Sequence, residues 1–93
     1  MLEKIKKSLR ITTDSLDEEI EDLIEAAKLD LSISGVEKIE DDDKLIIRAV
    51  TLYCKAQFGY DNPEADRFQQ TYDSLKTHLS MSSDYKADDS DET

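Results

Sequence analysis

The chain contains few of the residues that form turns, disulfides and metal sites. Two glycines and one proline occur in 93 residues, whereas about 12% of an average protein is glycine or proline. Strands joined by tight turns need more of both, so the composition disfavours a β fold. One cysteine, Cys54, has no partner for an internal disulfide, and one histidine, His78, cannot form a His/Cys zinc cluster. We interpret Cys54 as an inert core thiol and His78 as a surface side chain.

The chain is also short of basic residues and of long apolar runs. It has 12 Lys plus Arg against 23 Asp plus Glu, a net charge of -11, which disfavours nucleic-acid binding through a broadly basic surface. No apolar run approaches the ~18 residues of a membrane span, and the N-terminus lacks the apolar stretch of a secretory signal. We therefore expect a soluble, intracellular protein with no membrane partner.

Apolar residues recur at the spacing of a helix, which predicts an all-α fold. We predict three main helices over about residues 15–34, 43–58 and 63–80, with a short basic helix over 2–9 before them. The second main helix is apolar around most of its circumference, so we expect it to be the central one. The first and third each bury one apolar stripe: Leu16, Ile20, Leu23, Ile24, Ala27 and Leu31 in the first, and Ala65, Phe68, Tyr72, Leu75 and Leu79 in the third.

Capping residues predict where the first two main helices begin and end. Ser15 and Glu18 fit a capping box at the start of the first helix. Gly35 suits the left-handed position that follows the end of this helix. Asp42 or Asp43 is the expected N-cap of the second helix.

The last third of the chain contains one more helix start and then an acidic tail. Gly59 is the expected stop of the second helix, Asn62 the N-cap of the third, and Pro63 its first helical residue. Residues 82–93 are acidic and poor in apolar side chains, which predicts disorder. The domain organisation is therefore one helical domain over 1–81 and a flexible tail.

No pattern in the sequence indicates a catalytic, cofactor or metal site. Glycines only at positions 35 and 59 exclude a glycine-rich phosphate loop. Seven acids and no base lie between Asp14 and Glu25, which is typical of a solvated helix face. The run from Asp41 to Asp43 lacks the spacing of a calcium-binding loop. We expect no enzyme, no cofactor and no bound metal.

Two features favour contacts with other proteins. The central helix carries more apolar area than its two amphipathic neighbours would easily cover. The first main helix also has a second apolar stripe away from the core stripe, formed by Ala26, Leu29 and Ile33. Single surface apolar residues are ordinary in monomers, so either a normal surface or a contact surface explains this stripe.

Charges on the first two main helices also complement each other. The polar strip of the central helix carries Lys44, Arg48 and Lys55, whereas the first main helix has an acidic face. We hypothesise that these surfaces meet between subunits, since a head-to-tail contact of this kind generates rings. The acidic face comprises Glu18, Glu21, Asp22 and Glu25.

A series of short patterns recurs in order from about residue 5 to 85. The fragments are Leu9-Arg10-Ile11, Asp17-Glu18-Glu19-Ile20, Leu23 to Ala27, Asp30-Leu31, Gly35-Val36, Ala49-Val50 with Tyr53, Lys55 to Gly59, Asn62-Pro63 with Arg67-Phe68, and Tyr72 with Leu75. Each fragment is an ordinary helix pattern, but their order and spacing together resemble the phage head-tail connector family. Members of this family are also called head-completion or DNA-packaging adaptor proteins of siphophages and prophages.

The resemblance implies a structural virion protein at the head-tail interface, assembled in the host cytoplasm. Such proteins form a ring, dodecamer-like, on the portal protein, extend the DNA channel and dock the next connector or tail component. DNA passes through without specific binding. The resemblance carries no catalytic residues.

The resemblance and the residue patterns together suggest which residues make contacts and which face the channel. Phe58, Tyr60 and the chain ends are expected to contact a neighbouring subunit or the portal. The apolar stripe and basic strip described above add Ala26, Leu29, Ile33, Arg48 and Lys55. An acidic channel lining would repel DNA phosphates within about 8 Å at physiological salt. The candidate channel residues are Glu18, Glu21, Glu25, Asp41 and Asp42.

Two other classes of function remain as alternatives. An acidic protein can mimic DNA and occupy a DNA-binding protein, although a mimic would distribute its acids along an exposed rod. A small metal-dependent hydrolase has only the acid clusters in its favour.

Overall fold

A computed structural model of the chain describes residues 1–58 and 63–86, and all of its regular structure there is helical. Four α-helices follow one another, and a short 3-10 turn over Ser83–Tyr85 comes after them. The predicted all-α class is confirmed, and the 3-10 turn is an addition to it. The four helices are α1 (Leu2–Leu9), α2 (Asp17–Ile33), α3 (Lys44–Gln57) and α4 (Ala65–Met81).

Helix α3 is the central helix, as its apolar circumference predicts. It packs against α1, α2 and α4. Its last residue lies beside the first part of α4, since Gln57 Nε2 donates to Gln69 Oε1 at 3.3 Å, and further along the two helices Tyr53 and Tyr72 meet edge to face at 5.3 Å between ring centroids. The buried apolar side chains of the described residues form one core: Ile5, Ile20, Ile24, Ala27, Leu31, Val36, Ile46, Ala49, Val50, Leu52, Cys54, Tyr72 and Leu79.

Helix α2 ends in the way that Gly35 predicts. The amide of Gly35 donates to the carbonyl of Ser32 at 3.1 Å, and the amide of Val36 donates to the carbonyl of Leu31 at 3.0 Å. This pair of bonds is a Schellman motif, and it requires a left-handed residue at the glycine position, where φ is +108°. Leu31 and Val36 are both buried in the core, so the motif turns the chain back toward α3.

The predicted start of α2 at Ser15 is wrong. The helix begins at Asp17, and Leu16 stands at its N-cap without a side-chain bond. The Thr13 hydroxyl accepts a hydrogen bond from the Ser15 amide at 3.2 Å and donates to the Ser15 hydroxyl at 3.1 Å. This local turn holds Ser15 outside the helix, because short hydroxyl side chains compete with helical geometry for the backbone.

The predicted start of α4 is also too early. Pro63 lies in a turn, and the first helical residue is Ala65, with Glu64 at the N-cap position. The amide of Phe68 donates to the carbonyl of Glu64 at 3.0 Å as the helix begins. The expected roles of Gly59 as a stop and Asn62 as a cap lie outside the described residues.

Helix α1 is fastened to the start of α2 by a buried lysine. Lys6 is 4% exposed, and its Nζ lies 2.8 Å from Asp17 Oδ1 and 2.9 Å from Asp14 Oδ1. These bonds, with Asp17 contributing most, raise the pKa of the Lys6 ammonium above its usual range. Two of the seven acids that the sequence places on a solvated face are therefore partners of α1.

The ordered structure extends into the segment that we expected to be a flexible tail. The amides of Glu37 and Lys38 donate to the Tyr85 carbonyl at 2.7 and 2.9 Å. The Lys86 ammonium donates to the carbonyl of Gly35 at 2.7 Å. We call residues 82–86 the strap, since they tie the end of α4 to the loop between α2 and α3. The rest of the expected tail, residues 87–93, lies outside the described residues.

Candidate interaction surfaces

A basic groove runs along the exposed side of α3, between α1 and α4. It encloses about 380 Å³. Lys44 and Arg48 are exposed on its wall, and Lys55 is half-buried at the end nearer α4. The sequence predicted these three cations on one strip of α3, and the structure places all of them in the groove. The full lining is Ser8, Lys44, Ile47, Arg48, Thr51, Leu52, Lys55 and Phe68.

An aromatic ring with two cations closes one end of the basic groove. Lys55 Nζ lies 5.4 Å from the centroid of the Phe68 ring, and Arg67 Cζ lies 5.5 Å from it. Cations at these distances are attracted to the ring face. The groove therefore combines an apolar floor with positive charge along its length, which suits an acidic segment with some apolar side chains.

A second hollow of about 380 Å³ lies between the N-terminus and the acidic side of α2. The structure brings Glu21, Glu25 and Asp41 together there, although Asp41 is far from the other two in sequence. Glu18 and Asp42 are exposed but do not line this hollow. The predicted channel residues are thus divided between one hollow and the open surface.

Asp41 carries an ion pair that the sequence did not predict. The Lys28 ammonium lies 2.7 Å from Asp41 Oδ1, and this bond lowers the pKa of the Asp41 carboxyl below its usual range. The pair joins α2 to the loop before α3 across the second hollow. A local sequence pattern cannot show it, because the choice of partner depends on how the loop folds back.

Several large apolar side chains remain exposed, including two of the predicted stripe on α2. Leu29 is 61% exposed and Ile33 is 76% exposed, whereas Ala26 is half-buried. Met81 at the end of α4 is 79% exposed. These side chains are available for contacts with another protein.

Phe58, a further predicted contact residue, is less available for contacts. Phe58 follows the last residue of α3 and packs, half-buried, against the core. Tyr60 lies outside the described residues. The position of Phe58 is set by the end of α3 and by packing against the core.

Asp43 connects the start of α3 to the strap. One carboxylate oxygen accepts the amides of Leu45 at 2.9 Å and Ile46 at 3.2 Å, which confirms Asp43 as the N-cap. The Tyr85 hydroxyl lies 3.0 and 3.1 Å from the two oxygens of the same carboxylate and donates to it. One side chain therefore holds both the helix start and the end of the strap.

Replacing Asp43 with alanine should destabilise the fold by about 1–2 kcal/mol, because the cap is lost. The strap should loosen at the same time. Urea unfolding measures the first effect, and hydrogen exchange of the Glu37 and Lys38 amides measures the second. The variant Tyr85→Phe should loosen the strap while leaving the cap intact.

Asp42→Ala is the matched control, since this neighbouring carboxylate is exposed and makes no hydrogen bond among the described residues. Its free energy of unfolding should stay within about 0.5 kcal/mol of the natural chain. Equal losses from Asp42→Ala and Asp43→Ala would contradict the role of Asp43.

A buried tyrosine and a lysine of α4 meet an aspartate of α2. The Tyr72 hydroxyl donates to Asp30 Oδ2 at 2.5 Å, and Lys76 Nζ lies 3.0 Å from the same oxygen. Burial opposes ionisation of Asp30, but the bonds from Tyr72 and Lys76 outweigh it, so the pKa of this carboxyl lies below its usual range. The ionised form of Asp30 therefore stabilises the folded chain.

This pKa shift predicts a loss of stability in acid. A carboxyl whose pKa is lower in the folded state contributes stability above its unfolded pKa of about 3.9 and loses it as the pH falls through the folded value. We expect Asp30→Asn to lose less stability than the natural chain between pH 7 and pH 3 in urea unfolding. Asp73→Asn, at an exposed site 3.8 Å from Lys76, is the control. If Asp30→Asn were as acid-sensitive as the natural chain, Asp30 would not have the role assigned here.

The structure places Cys54 in the core and His78 on the surface. Cys54 is buried, and burial raises the pKa of its thiol to about 12, which disfavours the reactive thiolate at neutral pH. His78 is exposed on α4. Across residues 1–58 and 63–86, no three His, Cys, Asp or Glu side chains are grouped so that they could hold a metal ion. In the same ranges no helix has the length and apolar character needed to cross a lipid bilayer.

Comparison with known proteins identifies one family. The family model described as phage connector protein matches residues 1–86, which span α1 through the strap. No curated protein and no solved structure matches the chain significantly.

Proposed function

The chain belongs to the phage connector protein family, and we propose that it is a head-tail connector that forms a ring on the portal. In this role it extends the DNA channel and docks the next connector or tail component. The observation that carries the proposal is the family match, because it covers every described helix. A connector is a virion component, and we place its assembly in the host cytoplasm.

The ring contact that we propose joins the basic groove of one chain to Glu21 and Glu25, within the acidic face of α2, on the next. The groove holds Lys44, Arg48 and Lys55, whereas Glu21 and Glu25 line the second hollow. The two hollows share no lining residue, so one chain can engage a neighbour on each side. Two different surfaces of opposite charge favour a head-to-tail contact, and such contacts close into rings when the rotation permits.

The exposed apolar side chains of α2 supply area beside this charged contact. Leu29 and Ile33 lie on the same helix as the acidic face, and burying them against a neighbour or the portal would remove apolar surface from water. We assign Ala26, Phe58 and Tyr60 to the margins of the same contacts. Charge then sets the register of neighbouring chains, and apolar burial contributes much of the affinity.

Acids that are not used in the ring contact are proposed to face the channel. Glu18 and Asp42 are exposed, and the acidic face of α2 has more charges than the groove can neutralise. Negative charge on the channel wall repels the DNA backbone over about 8 Å at physiological salt. DNA would then pass without being held, and the connector would need no specific nucleic-acid site.

Inactivating the gene in its phage tests this function. We expect cells to accumulate heads and free tails that do not join, and electron microscopy of lysates would show both. Supplying the intact chain from a plasmid should restore complete virions. Complete infectious virions without the chain would contradict the connector function.

The DNA-mimic alternative is not favoured by the surface. A mimic requires continuous acidic surface, whereas Leu29 and Ile33 stand exposed on α2. The family match likewise offers no support for a metal-dependent hydrolase. We therefore propose a structural role without catalysis or cofactor.

A further inference from the structure

The basic groove has the features of a binding site for an acidic peptide. Among the described residues, neither Lys44 nor Arg48 has an ion-pair partner, while Lys55 and Phe68 meet at the far end of the groove. We propose that the occupant in the free protein is the acidic C-terminal segment, residues 87–93, of the same chain. This segment contains four acids and no base, so its charge complements that of the groove.

The strap delivers this segment to one end of the groove. The Tyr85 carbonyl is held by two amides of the loop before α3, and the Tyr85 hydroxyl is held by Asp43. Asp43 directly precedes Lys44, the first cation of the groove. Residues 87–93 therefore follow closely after Tyr85, whose hydroxyl is bonded to the N-cap residue of α3.

The length of the segment matches the length of the groove. Lys44 and Lys55 are separated by about 16 Å along α3 at a rise of 1.5 Å per residue. Seven fully extended residues span at most about 23–25 Å. This exceeds the length of the groove by about two residues, which connect the segment to the strap. The acids of the segment, which are Asp88, Asp89, Asp91 and Glu92, can therefore reach Lys44 and Arg48, which lie about 6 Å apart along α3.

Because the segment is attached to the strap, weak contacts are sufficient to hold it in the groove. A segment joined by a short link has an effective concentration of about millimolar at its site, far above the micromolar concentration of the protein in solution. The contacts are ionic and exposed, so salt weakens them: the screening length falls from about 8 Å at 0.15 M to 3 Å at 1 M. Occupancy should be high at low salt and lost at high salt.

The proposed ring contact uses the same groove, so the effect of the segment on assembly rests on the proposed function. A chain whose own segment fills the groove must release it before a neighbour can bind. Docking on the portal, which brings neighbouring chains together, would favour the exchange. Free chains would then resist assembly until the portal gathers them.

The amide chemical shifts of the free chain show directly whether residues 87–93 occupy the basic groove. The variant neutralises the segment through Asp88→Asn, Asp89→Asn, Asp91→Asn and Glu92→Gln. We expect its amide shifts to differ from those of the natural chain along α3 from Lys44 to Lys55 and at Ser8. The differences should vanish in 1 M sodium chloride. A matched control neutralises the four acids on α2, namely Glu18, Glu21, Asp22 and Glu25, and should leave the groove amides unchanged in a dilute, monomeric sample.

A reciprocal variant and a dilution series complete the test. Lys44→Gln with Arg48→Gln should shift the amides of residues 88–92 toward their values in 1 M salt, and all effects should be independent of protein concentration. Shift differences confined to residues 85–93 would overturn the proposal, and so would differences that disappear on dilution, since they would show a neighbouring chain in the groove. Because the samples are monomeric, the result is independent of whether the ring forms.

Discussion

Replacing Tyr72 with alanine is expected to lower the free energy of unfolding by about 3–5 kcal/mol, the usual cost of removing a buried aromatic side chain. Small domains are stable by only about 5–15 kcal/mol, so this single change removes a large part of the total. Tyr72 is fully buried and stacks edge to face on Tyr53 at 5.3 Å. It is the point at which α4 contacts both the central helix and α2.

A milder variant separates packing from hydrogen bonding at the same site. Tyr72→Phe keeps the ring but removes the hydroxyl that donates to Asp30, and Asp30 retains Lys76 at 3.0 Å. We expect a loss of about 1–2 kcal/mol, close to the usual value for a hydrogen bond to a charged group. Urea unfolding followed by circular dichroism measures both variants. Similar losses for the two variants would mean that the hydroxyl, and not the packing of the ring, holds α4.

Charge reversal in the basic groove should have the largest effect on assembly. Arg48→Glu with Lys55→Glu places acids opposite the acidic face of the next chain, and like charges in an interface cost several kcal/mol. A loss of only about 2 kcal/mol per contact weakens association roughly 30-fold. We expect sedimentation at low salt, in the presence of the portal protein, to show a ring for the natural chain and no ring for this variant.

Two matched variants make this experiment specific. Lys4→Glu with Lys38→Glu changes the net charge equally at exposed sites outside the groove, and it should leave assembly unchanged. Adding Glu21→Lys and Glu25→Lys to the groove variant exchanges the two charges and should restore the ring. An unchanged ring in the groove variant, or no restoration by the exchange, would refute the proposed contact between the groove and α2.

Much of the fold follows from short-range patterns. The apolar stripes of α2 and α4 place their core residues correctly, because a helical period decides which side chains share a face. Gly35 and Asp43 mark their helix ends correctly, since each acts on backbone groups within a few residues. The exposure of Leu29 and Ile33 also agrees with a stripe that no core requires.

The parts that the sequence did not predict depend on distant partners. Tyr85 lies in a stretch whose composition favours disorder, yet its ordering depends on Asp43, 42 residues earlier. The pairing of Lys28 with Asp41 depends on the path of a loop. At Ser15 the capping-box pattern predicted the wrong N-cap, because the Thr13 hydroxyl forms hydrogen bonds with the amide and the hydroxyl of Ser15 and holds it outside the helix. Composition and periodicity carry no information about such choices of partner.

The most direct test of the connector function is the native mass of the portal protein of the same phage, measured with and without this chain. The connector account predicts that the portal gains one copy of the chain per portal subunit and that the complex is a closed ring. Without the portal, the chain should be smaller than this ring at the same concentration. A portal whose mass does not change in the presence of excess chain would contradict the account.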